Sequence, residues 1–166
     1  MSFKRIKTEK IQKNPFSMIS MQWMLVTAGT PDSCNTLTAS WGGVGYIWNK
    51  NAATIYIRPS RYTKEFLDEN STFSLSFLPE EYRAALNLCG TVSGRDCNKI
   101  EEAGLHIDFY EGTPYFQEAE MVFVCKKMYV EDMKPENLLI NPAPFYPEGD
   151  YHCIYISEIL EVLEKE

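Results

Sequence analysis

Two short segments carry side chains that suit the binding of a small ligand. Residues 35–43 set small hydroxyl side chains beside Trp41, a combination that suits a flat heteroaromatic molecule with a polar edge. Residues 58–63 add arginines and hydroxyls where a predicted strand turns into a helix, and helix N-termini favour anions such as phosphate. The alternative, a strand end with solvated arginines and a helix capped by Thr63, stays open.

A third segment, residues 93–99, repeats this basic character. Gly94 allows close approach of the backbone to a ligand, and Arg95 and Lys99 are four residues apart. If a helix begins near them, this spacing is about one helical turn, and both cations can point at one ligand. The alternative is a helix start capped by Asp96, with basic residues that face solvent.

Alternating hydroxyls precede the aromatic residue of the first segment. Thr36, Thr38 and Ser40 are two residues apart in a predicted strand, so their side chains share one face. Three small hydroxyls make a poor core but a good polar wall for a ligand. Trp41 and the glycines after it can alternatively be a core aromatic and a barrel corner.

Composition limits the class of protein. A chain of 166 residues with 45% hydrophobic residues predicts one domain spanning residues 1–166. The net charge of −7 disfavours nucleic acids and anionic membranes as partners. The sequence lacks the long apolar run of a membrane span and the apolar core of a signal peptide, so we expect a cytoplasmic protein.

Cysteine and histidine usage argues against a metal centre. The five cysteines are widely spaced and form no C-x-x-C pair, so we expect reduced and mostly buried thiols. The chain has only two histidines. His106 is interpreted as a hydrogen-bonded residue at a strand end, whereas for His152 a structural and a functional role both stay open.

The periodicity of apolar residues predicts more strands than helices. Strands are expected over residues 24–27, 36–41, 53–58, 71–78, 105–110, 119–130 and 153–161. Helices are expected over residues 64–69, 80–88 and 96–103, the last ending at Gly104. Three prolines make residues 141–149 a surface loop or a lid. The predicted fold class is mainly β, a barrel with peripheral helices.

These elements together support a family resemblance. Residues 35–41, 58–63, 89–99 and 149–159 occur in this order over most of the chain. With them the chain resembles the flavin reductase-like proteins that have an FMN-binding split barrel, and within them the flavoredoxin branch. The resemblance implies a six-stranded Greek-key barrel, a homodimer, and an FMN near the subunit interface.

The resemblance also implies roles for individual residues. It places Thr38, Ala39, Ser40 and Trp41 along the flavin ring. It places Arg58, Ser60, Tyr62, Thr63 and Lys99 around the phosphate, with Asn35, Gly94 and Arg95 as further cofactor-binding residues. The family commonly has Gly-Asp-His before the last strand, whereas Tyr151 separates Asp150 from His152 here. His152 is the candidate catalytic residue, facing the flavin or a nicotinamide.

Two functions follow from this resemblance. The first is an NAD(P)H-dependent oxidoreductase of the flavin reductase type, in which the cofactor carries the hydride chemistry and the protein supplies placement. The second is an FMN electron carrier that accepts electrons from a protein partner, for which an acidic surface would suit docking. A small barrel that binds no flavin is the third interpretation.

Overall fold

The computed structural model describes Ser2 to Glu166. The strands are β1 (Phe3–Ile6), β2 (Met24–Thr30), β3 (Ser33–Ala39), β4 (Gly42–Ile47), β5 (Lys50–Ile57), β6 (Thr72–Phe77), β7 (Ile107–Tyr110), β8 (Thr113–Phe116), β9 (Met121–Asp132) and β10 (Cys153–Lys165). The α-helices are α1 (Pro15–Ser17), α2 (Thr63–Glu69), α3 (Arg83–Thr91) and α4 (Lys99–Glu102), and α1 continues into a π-helical turn, Met18–Gln22. Over the described residues, no helix is long and apolar enough to cross a membrane.

Eight strands form one antiparallel sheet. Seven of them follow the order β3-β2-β6-β9-β10-β5-β4, β1 pairs with the end of β10, and β7 and β8 form a separate hairpin. Six strands, β2, β3, β5, β6, β9 and β10, contribute side chains such as Leu37, Ile55, Phe73, Phe123 and Tyr155 to one apolar core. The expected fold class, mainly β with peripheral helices around a barrel, is confirmed.

Strand β6 shows how the sequence pattern produces two packed layers. Phe73, Leu75 and Phe77 alternate into the barrel core, while Ser74 and Ser76 point to the opposite face and are also fully buried. The hairpin strand β8 covers these serines, because Ser74 Oγ donates to the carbonyl of Pro114 at 2.6 Å. A second apolar cluster, which includes Leu25, Leu86, Phe116 and Val122, lies on this outer side of the sheet.

Several element boundaries differ from the sequence-based expectation. The predicted strand 105–110 is shorter, Ile107–Tyr110, and forms the first half of a hairpin whose second strand, β8, was not expected. Strand β1 was not expected either, and β10 continues to Lys165 to pair with it. The predicted helix 80–88 is a 3₁₀ turn, Glu80–Tyr82, followed by α3.

The expected Thr63 cap and the alternative Asp96 cap are both wrong. Thr63 is the first residue of α2, and its hydroxyl accepts a hydrogen bond from Asn35 Nδ2 at 3.0 Å instead of capping the helix. Helix α4 begins at Lys99 and is capped by Asn98, not by Asp96. The expected end of this helix is confirmed, since Gly104 has a φ of +66°.

Candidate functional site

A cleft opens where β3 and β5 end. Its volume is about 180 Å³, and Thr38, Ala39, Ser40, Trp41, Arg58 and His152 line it together with Leu37, Tyr56, Ile57 and Arg61. Strands β3 and β4 lie at opposite ends of the sheet order, and Ser40 and Trp41 connect them. The structure thus brings six of the expected site residues to one place, where the barrel is not closed by strand pairing.

Only part of the expected hydroxyl wall faces this cleft. Thr36 is fully buried, and its hydroxyl is hydrogen bonded to Thr27 Oγ1 at 2.9 Å and to Val26 O at 3.0 Å. The Thr38 hydroxyl donates to the carbonyl of Leu86 in α3, but its oxygen can still accept. Thr38 and Ser40 therefore remain as the hydroxyls of the site, and Thr36 has a structural role.

Trp41 forms an aromatic wall of the cleft and is not a core residue. Its side chain is 41% exposed. Its ring centroid lies 5.2 Å from that of His152 and 5.8 Å from that of Phe145, the latter in an edge-on arrangement. A large ring that stays this open beside a cleft can stack on or border a planar ligand.

Three cations gather beside the cleft: Arg58, Arg61 and Lys99. Arg61 Nη2 donates to Cys89 O at 3.4 Å, and Lys99 Nζ donates to Cys89 O at 3.1 Å and to Val92 O at 3.0 Å. These carbonyls belong to the C-terminal end of α3, where helix geometry attracts cations. Arg61 lies in the basic segment recognised from the sequence but was not among the expected site residues.

The charge of this cluster is not balanced by acidic side chains. Among residues 2–166, no salt bridge involves Arg58, Arg61 or Lys99. Burial, followed by the charge of Arg61, lowers the pKa of Lys99 to about 8. Burial, followed by the charge of Arg58, lowers the pKa of Arg61. An anion placed here relieves both repulsions.

Other residues expected around a phosphate have partners within the protein. Ser60 donates twice to the carboxylate of Asp150, from its backbone N at 3.1 Å and from Oγ at 2.5 Å. Tyr62 lies beneath the guanidinium of Arg95, 4.7 Å from the ring centroid. Thr63 is 1% exposed. These side chains are not among those that line the cleft.

Asn35, Gly94 and Thr63 form a packing contact between β3, α2 and the loop before α4. A Cβ added to Gly94 would lie 2.4 Å from Asn35 Oδ1, and Asn35 also donates to Thr63. Arg95 is paired with Glu65 of α2. Asn35, Tyr62, Gly94, Arg95 and Lys99 line a separate cavity of about 760 Å³. Five of the expected cofactor-binding residues therefore line the cleft, five line this cavity, and Ser60 and Thr63 line neither.

The loop before β10 lies against the arginine side of the cleft. Arg58 Nη2 donates to Phe145 O at 2.8 Å, Arg58 Nη1 donates to Asp150 O at 3.2 Å, and its guanidinium lies 5.0 Å from the ring centroid of Tyr146. Burial, followed by the charge of Arg58, lowers the pKa of His152 to about 4. His152 is therefore neutral at pH 7.

No thiol lines the cleft among the described residues. Cys89, Cys125 and Cys153 are buried, and all five cysteines are free. Within the described part of the chain, no cluster of three or more His, Cys, Asp or Glu side chains could hold a metal ion.

Comparison with known proteins gives one family. Residues 16–166 match the model described as flavin reductase like domain. No curated protein matches the chain.

Solved structures share the fold over nearly the whole chain. The flavoredoxin of Methanosarcina acetivorans is 20% identical with a TM-score of 0.71, covering 97% of this chain and 77% of its own. An FMN-binding domain of a flavin reductases-like enzyme from Shewanella baltica is 16% identical with a TM-score of 0.71. The match covers 98% of this chain and 77% of the Shewanella chain. An NADH:FAD oxidoreductase of Streptomyces globisporus is 15% identical with a TM-score of 0.65. The match covers 87% of this chain and 75% of the Streptomyces chain. At these identities the similarity establishes the fold.

Proposed function

Because this chain belongs to the flavin reductase-like family, we propose that its cleft binds FMN and that the protein is an FMN-dependent oxidoreductase that takes electrons from NADH or NADPH. One observation carries the proposal: a half-exposed tryptophan, Trp41, borders a cleft whose basic side chains, Arg58 and Arg61, have no acidic partner among residues 2–166. This pairing matches a planar ring that bears a phosphate.

The residues present fit this cofactor in their chemistry. Arg58 and Arg61, backed by the buried Lys99, supply the charge-assisted donors that a phosphate dianion needs. Thr38 and Ser40 supply small hydroxyls, and Trp41 supplies an apolar face. The family resemblance extends the proposed set to Asn35, Ala39, Ser60, Tyr62, Thr63, Gly94 and Arg95, of which Asn35, Thr63 and Gly94 act by packing.

The size of the cleft favours a site that two copies complete. Its volume of about 180 Å³ is smaller than the roughly 300–1,000 Å³ of most ligand pockets, so the proposed ligand needs further surface next to the cleft. An apolar groove of about 390 Å³, lined by Phe16, Ile19, Trp41 and Val44 among others, adjoins the cleft at Ser40. We therefore propose a homodimer in which this groove lies at the interface.

FMN, when bound, supplies hydride and electron transfer at its ring, so the chain itself needs no nucleophile. Arg58 and Arg61 attract and orient the phosphate. Phe145 packs on Trp41 and helps to exclude water from that edge of the cleft. His152 presents an uncharged ring to the ligand, which avoids a further positive charge beside Arg58.

A second function is favoured by the charge of the whole chain. A net charge of −7 steers a basic protein partner toward the surface, and Trp41 remains 41% exposed at the rim of the cleft. The protein would then be an electron carrier that is reduced by a partner and does not bind a nicotinamide.

An anaerobic absorbance titration of the FMN-loaded protein with NADH and then NADPH separates these functions. Rapid loss of the oxidised flavin band with either donor supports the oxidoreductase. Bound flavin that resists both donors but is bleached by dithionite supports the carrier. Failure of the purified protein to bind FMN at all would contradict both.

A further inference from the structure

The segment Gly149–His152 is fixed at both ends. Asp150 has a φ of +58°, in the left-handed region that few residues other than glycine, asparagine and aspartate occupy. Its carboxylate accepts from the backbone N and the hydroxyl of Ser60. This turn directs the chain so that His152, two residues later, lines the cleft.

At its other end the segment contacts Tyr146. The Tyr146 hydroxyl lies 2.7 Å from His152 Nδ1, and the two side chains are 8% and 6% exposed. The ring of Tyr146 stacks on that of Tyr151 with centroids 4.6 Å apart, and Arg58 lies over it. Tyr151, the residue that interrupts the Gly-Asp-His pattern, therefore supports the side chain that contacts the histidine.

The hydrogen-bonding capacity of a phenol decides which nitrogen carries the proton. A tyrosine hydroxyl has one hydrogen to donate, and burial raises the pKa of Tyr146, so the hydroxyl is protonated. Its two neighbours are His152 Nδ1 and the sulfur of Met133, at 3.6 Å. A thioether is a weak acceptor, so the hydrogen goes to Nδ1 and the ring proton lies on Nε2.

We propose that Tyr146 is a positioning residue for His152, which holds the neutral imidazole in the Nε2–H tautomer and leaves Nε2–H to donate to an acceptor oxygen of a ligand in the cleft. The tautomer follows from the protein contacts alone. The part that concerns the ligand rests on the proposed flavin site, where the acceptor is a carbonyl or phosphate oxygen.

Nitrogen-15 NMR of the histidine rings tests the tautomer without any cofactor. The chain has two histidines, so the variant His106→Gln assigns both ring spectra. His106 Nδ1 lies 2.7 Å from Glu118 Oε1 and serves as an internal reference whose pattern stays constant. At pH 7 we expect His152 to show the Nε2–H pattern. A wild-type spectrum with the proton on Nδ1, or averaged over both nitrogens, would overturn the proposal even if no variant folds.

Tyr146→Phe isolates the hydroxyl, because it keeps the ring that stacks on Tyr151 and lies beneath Arg58. We expect His152 to become a mixture of both tautomers in this variant. Tyr151→Phe, which keeps the stack and the Tyr146 hydroxyl, is the matched control and should retain the wild-type pattern. An unchanged His152 spectrum in Tyr146→Phe would show that something else fixes the tautomer.

Addition of FMN tests the ligand part separately. If bound FMN, detected by quenching of its fluorescence, shifts the Nε2–H resonance of the wild type, His152 donates in the cleft as proposed. If FMN binds and this resonance does not move, the donor role is wrong while the proposed function stands. If FMN does not bind but the free protein shows the Nε2–H pattern, the tautomer is established and the proposed function fails.

Discussion

At the scale of single residues, the basic cluster owes its properties to where its members are anchored. Lys99 and Arg61 both donate to the carbonyl of Cys89, so the end of α3 holds two cations that repel each other. Lys99 is 2% exposed, and its removal would also take away the donor of the Val92 carbonyl and one of the two donors of the Cys89 carbonyl. Arg61 is the better probe of anion binding, because among residues 2–166 its guanidinium makes one hydrogen bond, which at 3.4 Å is longer than those of Lys99.

We expect Arg61→Gln to weaken FMN binding by about 1.5–3 kcal/mol, the range for a hydrogen bond to a charged group. Binding of riboflavin, which has no phosphate, should change little. Fluorescence titration with both ligands measures the difference. Lys126→Gln, on an exposed position of β9, is the matched control. Equal loss of affinity for the two flavins in Arg61→Gln would show that the arginine does not contact a phosphate.

The histidine gives a second prediction at this scale. Arg58, Asp150 and Tyr146 are the charged and titratable groups around His152, and its pKa is lowered from 6.5 to about 4, first by burial and then by Arg58. Since the folded pKa lies below the unfolded one, the unfolded chain binds more protons between these values, and stability falls as the pH falls through this window. We therefore expect the titration of His152 to make the free energy of unfolding about 2 kcal/mol lower at pH 5 than at pH 7.

Urea unfolding at the two pH values measures this effect. The variant His152→Gln should lose this part of the pH dependence, and His106→Gln should keep it because the His106 side chain is 72% exposed. If the free energy of unfolding of His152→Gln depends on pH as strongly as that of the wild type, groups other than His152 cause the dependence.

At the scale of elements, the loop before β10 is attached to the end of β5 by polar contacts. Arg58 and Ser60 bind it at three points: Phe145 O, Asp150 O and the Asp150 carboxylate. Each contact has a charged partner, the Arg58 guanidinium or the Asp150 carboxylate, and such a hydrogen bond contributes about 1.5–3 kcal/mol. Such an element opens locally more easily than the barrel does.

Asp150→Ala removes the carboxylate that binds Ser60 and places alanine at a φ of +58°. We expect amide hydrogens of residues 143–151 to exchange about 10-fold or more faster, because the lost contacts contribute roughly 1.5–3 kcal/mol to closure. Asparagine tolerates this φ and retains an acceptor oxygen, so the exchange rates in Asp150→Asn should lie between those of the wild type and those of Asp150→Ala. Hydrogen exchange followed by mass spectrometry measures the rates. Unchanged protection in Asp150→Ala would show that the aromatic stack alone holds the loop.

The contact between Gly94 and Asn35 gives a further prediction. A methyl group on Gly94 would displace the Asn35 side chain and break its bond to Thr63. We expect Gly94→Ala to lower the free energy of unfolding by about 1–2 kcal/mol. Gly45→Ala, where an added Cβ meets nothing within 4 Å and which does not line the apolar groove, is the control. In an Asn35→Ala background the cost of Gly94→Ala should shrink, and a cost that stays the same would exclude this clash as the cause.

At the scale of the whole molecule, the ligand cleft and the apolar groove lie side by side. Phe16 is 83% exposed and Val44 is 40% exposed, and both line the groove that adjoins Trp41. Burial of such side chains between two copies would remove apolar surface from water, at about 25 cal/mol per Å². The proposed homodimer would therefore couple assembly to flavin binding.

We expect the wild type to be a dimer by light scattering after size-exclusion chromatography, and Phe16→Glu to shift it to monomer and weaken FMN binding. Because Phe16 is largely exposed, the substitution should not unfold the monomer. Leu139→Glu, at a residue 99% exposed and outside the groove, is the control. A wild-type monomer that binds FMN tightly would contradict a shared site.

The sequence by itself determined the fold class, the family and the positions of most elements. Alternation of apolar residues, as in Phe73, Leu75 and Phe77, marks the inner face of a strand because side chains repeat every two residues. The segments that contain Trp41 and Arg58 were predicted to form a ligand site for a similar reason: their residue types and order are local properties of the chain.

Only the tertiary structure decided which of these residues meet. Arg61 lies in the cleft, whereas Ser60 and Thr63, its near neighbours in the chain, bind Asp150 and Asn35. These partners are 90 and 28 residues distant in sequence, and no local periodicity records such pairings. The direction of a side chain at a strand end depends on what packs against it, so the division of the expected residues between two cavities required the folded barrel.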